Sequence, residues 1–244
     1  MFGLRKKQGY TDLQWMGTDL HSHLLPGIDD GVQELATSVD FIKKLQGLGL
    51  NHFIMTPHVY DEVHPNTPEI IAATHNCLEN ELRKEEVDVR TYAAAEHMLG
   101  EQFADLLKSN QLNSFPNNFL LIEMPWLAEP MQLEQTIFEI VTKGYKPIMA
   151  HPERYTFYFQ RPQAYHRLKE LGCLLQLNLL SPTGYYGKEV AKTTMSLIKK
   201  GLYDLVGTDL HHDRHLGKIT QYVKSGQAYK DLGNLNLQNQ LLFP

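Results

Sequence analysis

The sequence predicts an α/β fold, a single domain of parallel strands with helices outside, closed into a barrel rather than spread as an open sheet. Three observations predict it. Short apolar runs alternate with longer amphipathic stretches, the pattern of repeated strand–helix units. Seven such runs fit into 244 residues, a length at which α/β barrels commonly form one domain. Six of the seven end on a histidine or a carboxylate, as expected where strand C-termini converge on one face of a barrel.

The elements follow in order. "LQWMGTDLHSH", from Leu13 to His23, opens with a strand. A helix follows, with Leu35, Val39, Ile42 and Leu45 on one face and Gly47 and Gly49 as stop signals. "HFIMTPH" is the second strand, and Pro68 to Glu86 reads as a helix with proline at its start. "VDVRTYAAAEH" is the third strand and "NNFLLIEMP" the fourth, followed by a helix near Met131 to Lys143. "KPIMAHPERY" holds the fifth strand, with a helix near Pro162 to Leu171. "LLQLNLL" is the sixth, with a helix near Lys188 to Lys200, and "LYDLVGTDLHHD" holds the seventh.

Composition narrows the classes of function. A formal net charge of −5 argues against a nucleic acid partner, because phosphate backbones favour basic surfaces. The two cysteines, Cys77 and Cys173, fall in or beside helices and read as small buried hydrophobes rather than a disulfide or a catalytic thiol. That usage suits a reducing cytosol, so the expected location is cytoplasmic. No apolar run reaches the ~18 residues of a membrane span. "MFGLRKKQGY" has three basic residues but no apolar segment after it, so it is not a secretory signal; residues 1–14 are expected to form a solvated N-terminal arm.

The strand ends carry the chemistry. They bear His21 and His23, His58, Glu96, Glu123, His151, and Asp209 with His211, while Asp29 and Asp30 follow the first strand. In His21-x-His23 and Asp209-x-His211 both side chains of the pair point the same way, because strand periodicity is two. Two such side chains grip one ion. With imidazole and carboxylate and no thiolate, the set favours manganese, iron or zinc in a catalytic rather than a structural site. Five histidines and four carboxylates, counting one of Asp29 and Asp30, exceed the needs of one ion and suit two or three divalent ions, which activate water and clamp phosphoryl oxygens.

In this order, "DLHSHLLPGIDDG", "TPH", "AAEH", "IEMP", "HPERY" and "GTDLHH" resemble the polymerase and histidinol phosphatase (PHP) superfamily. Within it the chain is most similar to the bacterial capsule-type, CpsB/YwqE-like protein-tyrosine phosphatases. The resemblance runs from about Trp15 to His215 and is most specific at "HPERY" and "DDG". It implies a distorted (β/α)7 TIM-like barrel, the PHP fold, with manganese as the first choice of metal and iron or zinc as the others. It places His21, His23, Glu96 and Asp209 on one ion, Glu96, Glu123 and His151 on a second, and Asp30, His58 and His211 on a third. Asp30 rather than Asp29 matches the ligand position. Arg154 matches the phosphate-binding arginine, whose fork suits phosphate oxygens. Arg214 is the candidate for a second arginine, although "HHDRHLG" is shorter than the usual spacing. Arg154, Asp209 and His151 are the residues expected to carry catalysis.

The implied activity is metal-dependent hydrolysis of phosphotyrosine on proteins, without a cysteine nucleophile. The implied partner is a phosphotyrosine protein, a bacterial tyrosine kinase of polysaccharide export, which would bring the enzyme close to the membrane. The rivals are a small-molecule phosphatase such as a histidinol-phosphate hydrolase, a nuclease-type phosphoesterase, and a non-catalytic metal-binding regulatory domain. Tyr60, Tyr155, Phe157 and His215 are candidates for a substrate rim, with "SPTGYYG" a loop at the mouth. Asp19 is expected to orient the His21 ring. His97 should point away from the site, and His52, His64, His75, His166 and His212 read as solvent-facing or capping residues.

Overall fold

Nine short strands, all parallel to their neighbours, form two sheets in the computed structural model, which describes residues 10–60 and 63–244. The smaller sheet joins β1 (Thr18–Asp19), β2 (His52–Met55) and β4 (Arg90–Ala93) in the order β1-β2-β4. The larger runs β3-β5-β6-β7-β8-β9, where β3 is His58–Val59, β5 Glu96–Met98, β6 Phe119–Glu123, β7 Lys146–Ala150, β8 Leu174–Asn178 and β9 Leu205–Gly207. The curled parallel sheet is the α/β architecture the alternation predicts.

The second and third expected strands are each broken in two. Pro57 has no N–H to donate, so β2 ends at Met55 and the chain resumes pairing at His58 in the other sheet. The third breaks at Ala94-Ala95, where the Ala94 N–H still reaches Met55 O but that of Ala95 goes to Asn113 O. The first strand is shorter than expected: Leu13 to Met16 form a turn that buries Leu13 and Met16, and only Thr18–Asp19 extend. Beyond β1, Ser22 bridges Leu210 in parallel fashion, with Asp209 N donating to His21 O at 2.7 Å and His23 N to Leu210 O at 3.0 Å. The first and last strands are thereby joined.

Helices α1 (Leu35–Gln46), α2 (Pro68–Lys84), α3 (Glu101–Ser109), α4 (Leu133–Thr142), α5 (Gln163–Glu170), α6 (Lys188–Lys199) and α7 (Asp213–Lys224) separate the strands or follow the last. The α1 face is as the spacing predicts, with Val39, Ile42 and Leu45 buried. Thr67 caps α2 by accepting from Ile70 N, with Pro68 in the first turn. Unanticipated are α3, which buries Phe103 and Leu107, and the C-terminal α8 (Gln227–Leu232) and α9 (Asn239–Leu242).

The main apolar core lies between sheet and helices. A smaller cluster, with Leu20, Ile54, Leu121, Ile148, Ala150 and Leu205, is stoppered by Phe115 and Phe243, whose rings lie 5.5 Å apart. Burying Phe243 contributes about 2–3 kcal/mol. Cys173 is buried as expected, but Cys77 is exposed, because it falls on the outer face of α2. Residues 1–9 of the expected N-terminal arm lie outside the described residues; Leu13, within its stated bounds, is fully buried. No helix is long and apolar enough to cross a membrane among the described residues.

Candidate metal centre

The nine donors picked out from the sequence come together in overlapping groups. His23, Asp30, His58 and His211 form one group; His21, His23 and Glu96 a second; His21, His151 and Asp209 a third; His58, Glu96 and Glu123 a fourth. Within each, one donor atom per residue lies within 4.8 Å of the others. Glu96 is the hub: its Oε1 lies 3.0 Å from His151 Nε2, and its Oε2 3.3 Å from His21 Nε2 and 3.2 Å from His58 Nδ1. The grouping is not the one implied by the resemblance: Glu123 Oε1, 3.0 Å from His58 Nδ1, falls with that ring rather than with His151, His151 falls with His21 and Asp209, and His23 also joins Asp30, His58 and His211. Six donors are buried, His58 and His211 are half-buried, and the Asp30 side chain is 60% exposed, opening the cluster to solvent on that side. His151 and Asp209 adopt left-handed backbone (φ 32° and 51°), an unfavourable conformation for non-glycine residues that sites tolerate at a cost of about 1–3 kcal/mol each.

Neighbouring groups fix which way the imidazoles face. His21 Nδ1 meets Gln176 Oε1 at 2.9 Å, His23 Nδ1 meets Asp29 Oδ2 at 2.7 Å, and His211 Nδ1 meets the Asp209 carbonyl at 2.9 Å. These acceptors hold a proton on each Nδ1 and leave the Nε2 lone pair aimed inward. His21 and His23 then bring their Nε2 atoms to 3.2 Å of each other, close enough for one proton, or a cation in its place, to lie between them. Both Glu96 oxygens, Glu123 Oε2 and His151 Nδ1 are buried without a hydrogen-bond partner among the described residues, a costly condition for polar atoms. Burial alone would raise the Glu96 and Asp209 carboxyls, but the nearby imidazoles, His21 foremost, hold both well below the usual carboxylate range. The donor set, its tautomers and its orphaned oxygens all fit divalent cations.

Two glycines allow the close approach. A Cβ on Gly207 would lie 2.5 Å from His21 Cβ and 2.9 Å from Gln176 Nε2; one on Gly31 would lie 2.2 Å from His23 O. The glycine of "DDG" is therefore a space requirement. Gly207→Ala is expected to cost about 1–3 kcal/mol of stability and to reduce metal uptake by displacing His21 and its amide partner. Thermal unfolding and metal analysis check it; unchanged values would show that the neighbours yield without cost.

Arg154 stands beside the cluster on the short 3₁₀ turn Pro152–Arg154 after β7. Its Nη1 donates to Asp209 Oδ2 at 2.7 Å, and its guanidinium lies between Trp126 (4.6 Å) and Tyr186 (4.2 Å). Stacked on both faces, the guanidinium leaves its in-plane N–H edge for any further acceptor. The turn is anchored by buried Glu153, which accepts from Ser181 Oγ at 2.6 Å, Asn178 N at 3.0 Å and the Tyr203 hydroxyl at 3.1 Å.

Other expectations are corrected. Tyr155 is fully buried rather than on the rim: its hydroxyl donates to Ala150 O and accepts from Met124 N, so it braces β7 against β6 beneath His151. His215 is buried under the loop, its Nδ1 accepting from His211 N and its ring 5.0 Å from Tyr185; burial and His212 bring its pKa down to about 4. Arg214 is exposed on the first turn of α7 and pairs with no carboxylate among the described residues. Asp19 does not orient the His21 ring: its oxygens accept from Thr208 N (2.9 Å) and Oγ1 (2.6 Å) and from the His21 backbone N–H (3.4 Å); burial raises its pKa to about 6. Tyr60 is exposed near the cluster's outer side, next to the His58–His64 pair, and Phe157 stacks on Tyr155. His97 faces away, accepting from Asn113 N at 3.3 Å. His212 caps α7 and His166 is exposed, while His52, His64 and His75 are half-buried.

Four residues escaped the sequence reading. Gln176 and Asn178 come from β8, the strand without a terminal ligand; Asn178 Nδ2 donates to Asp209 Oδ2 at 2.6 Å and to the Tyr186 hydroxyl at 3.1 Å. Two amides at i and i+2 in an otherwise apolar strand were the signal available. Trp126 carried no motif, and Tyr186, which encloses Arg154 with it, lies in the "SPTGYYG" loop, where no single residue stood out.

The chain is 29% identical over 236 residues to the tyrosine-protein phosphatase YwqE of Bacillus subtilis (strain 168), covering 92% of this chain and 93% of that protein. It is 26% identical over 236 residues to the putative tyrosine-protein phosphatase CapC of Staphylococcus aureus, covering 91% of each. A solved structure described as belonging to YwqE from Bacillus subtilis and CpsB from Streptococcus pneumoniae, unique metal-dependent tyrosine phosphatases, superimposes with a TM-score of 0.83 at 28% identity, over 92% of this chain and 93% of that one. The family model for capsular polysaccharide synthesis, CpsB/CapC, matches residues 17–239. That span takes in every strand and all nine donors, and the protein belongs to the CpsB/CapC family.

Proposed function

We propose that the protein is a metal-dependent protein-tyrosine phosphatase whose active site is the nine-donor cluster with Arg154. The observation that carries this reading is the pair of inward-facing imidazole nitrogens 3.2 Å apart above the unpartnered oxygens of Glu96, next to an arginine with an open N–H edge. His21, His23, Asp30, His58, Glu96, Glu123, His151, Asp209 and His211 would hold two or three divalent ions, manganese first and iron or zinc next. Such ions, when bound, activate water and neutralise phosphoryl oxygens. Arg154 receives the phosphoryl oxygens along its free edge. Asp209 ties the two halves together, Oδ1 facing the imidazoles and Oδ2 holding Arg154 and Asn178. No acid on the chain need protonate the leaving group, because phenolate has a conjugate acid of pKa about 10.

The join between the first and last strands supports reading the fold as a single distorted (β/α)7 barrel over residues 1–244. The family's place in capsular polysaccharide synthesis and the names of the relatives support a phosphotyrosine protein as substrate, specifically a bacterial tyrosine kinase of polysaccharide export. The reaction would then take place in the cytoplasm, near the membrane that holds the kinase. The test is substrate preference in manganese-loaded protein. Phosphotyrosine peptides are expected to be hydrolysed well, and phosphoserine peptides and histidinol phosphate poorly. A tenfold preference in kcat/KM for histidinol phosphate over several phosphotyrosine peptides would reassign the substrate to small molecules and leave the metal centre standing.

A further inference from the structure

The segment "MPWLAEPM" between β6 and α4 exposes apolar side chains beside the candidate site. Leu127 is 96% exposed, Met131 fully so, and Trp126 44% exposed. Trp126 is the one with work on its inner side. Its ring lies nearly parallel to that of His151, with centroids 5.6 Å apart and planes 13° from each other, and it covers one face of the Arg154 guanidinium. The indole therefore borders both a donor of the cluster and the arginine while leaving nearly half its surface in water. The other ring against Arg154, Tyr186, is half-buried and its hydroxyl is tied to Asn178. Among the described residues bordering the arginine, only the Trp126 indole is an open aromatic surface.

The ester oxygen of a phosphate monoester carries its organic group away from the phosphoryl oxygens. With those oxygens on the free edge of Arg154, the organic group lies next to the rings that flank the guanidinium, of which Trp126 is the exposed one. Aromatic rings pack favourably in offset or edge-on geometry, and an alkyl ester offers no such surface. Leu127, next in sequence, extends the apolar wall outward. We infer that Trp126 is the specificity-determining residue that selects aryl over alkyl phosphate esters, by packing the substrate's ring on its exposed face. The inference rests on the phosphatase reading above.

The test uses manganese-loaded full-length protein turning over p-nitrophenyl phosphate, with phenylphosphonate and methylphosphonate as competitive inhibitors. These differ in the ring and have no leaving group, so they read ring binding apart from chemistry. Wild type is expected to bind phenylphosphonate more tightly. Trp126→Ala should cut that preference about fivefold to tenfold, with the methylphosphonate inhibition constant changed less than twofold, and Trp126→Phe should keep most of it. Because Trp15 is the only other tryptophan, phenylphosphonate should also quench indole fluorescence in wild type and not in Trp126→Phe, a readout that survives if the alanine variant misfolds. Parallel weakening of both inhibitors in Trp126→Ala would restrict Trp126 to holding Arg154 and overturn the inference. An unchanged ratio, or no phenyl preference in wild type, would overturn it too. Absent turnover of p-nitrophenyl phosphate by metal-loaded wild type would instead strike at the phosphatase reading itself.

Discussion

Glu96→Ala is expected to empty the centre of metal and to lower turnover by at least ~10³-fold, since the charge neutralisation supplied by bound divalent ions amounts to several kcal/mol. The reason lies in the position of the side chain. Its two oxygens face His21, His23, His58 and His151 at 3.0 to 3.5 Å, so its loss removes a shared negative charge from the middle of the ring set. Glu96→Gln keeps the volume and is expected to fail nearly as badly, because the amide brings N–H groups where anionic donors are needed. Metal analysis with kcat on a phosphotyrosine peptide checks both, and full turnover by a chelated wild type would refute the reading outright. The same crowding sets the pH dependence. Burial and the neighbouring His23 push the His58 imidazole down, but Glu123 and Glu96 outweigh them and lift it to about 9; His23 is raised well above its ordinary value. Metal-free protein therefore holds protons on these rings at neutral pH, and metal uptake must release them. Affinity for manganese should rise as the pH is raised toward 9 and fall on acidification, with proton release measurable by calorimetry in buffers of different ionisation enthalpy. Equal affinity at pH 6 and pH 9 would contradict this account.

Arg154→Ala should separate catalysis from metal binding. Asp209 Oδ2 keeps its bond from Asn178 when Arg154 is removed, so the metal content should stay close to that of wild type. Turnover should fall by about 10²–10³-fold, the scale for one preorganised donor to a developing charge. Arg154→Lys should not restore it. An ammonium neither fills the slot between Trp126 and Tyr186 nor offers a planar fork. Single-turnover rates with measured metal occupancy decide the matter, and a fully active alanine variant would remove Arg154 from the phosphate.

The strand alternation and eight of the nine donors were legible in the sequence because both follow from local pattern, apolar runs of strand length of which six of seven are closed by a histidine or carboxylate; the ninth, Asp30, was separated from Asp29 only by the family resemblance. What stayed hidden depends on tertiary geometry. The break at Thr56-Pro57 could be suspected from proline, but the break at Ala94-Ala95 has no residue signature, since any chain can change its partner strand there. Helix α3 buries only Phe103 and Leu107, a two-residue stripe that marks no period. Tyr155 and Trp126 are both aromatic residues just beyond strand ends. Which of them lies beneath the site and which beside it depends on the path of the 3₁₀ turn after His151. Gln176 and Asn178 neither titrate nor carry charge, so no motif marks them, although they hold the His21 ring and the Asp209 carboxylate.

The closure of the first strand on the last has a consequence for how the protein is made. Asp19 and Thr208 are 189 residues apart in the chain, and His21 and Asp209, which face each other across the cluster, sit beside that junction. Translation delivers the chain from its N-terminus, so His21 and His23 leave the ribosome long before their carboxylate and imidazole partners on the last strand. A contact of such sequence separation carries a large loop-closure cost, and the complete set of donors exists only once it has formed. Incomplete or truncated chains lack it, and ions that bind only the finished set stabilise only the finished fold. On the proposed reading, metal capture would draw the equilibrium toward molecules whose last strand has docked.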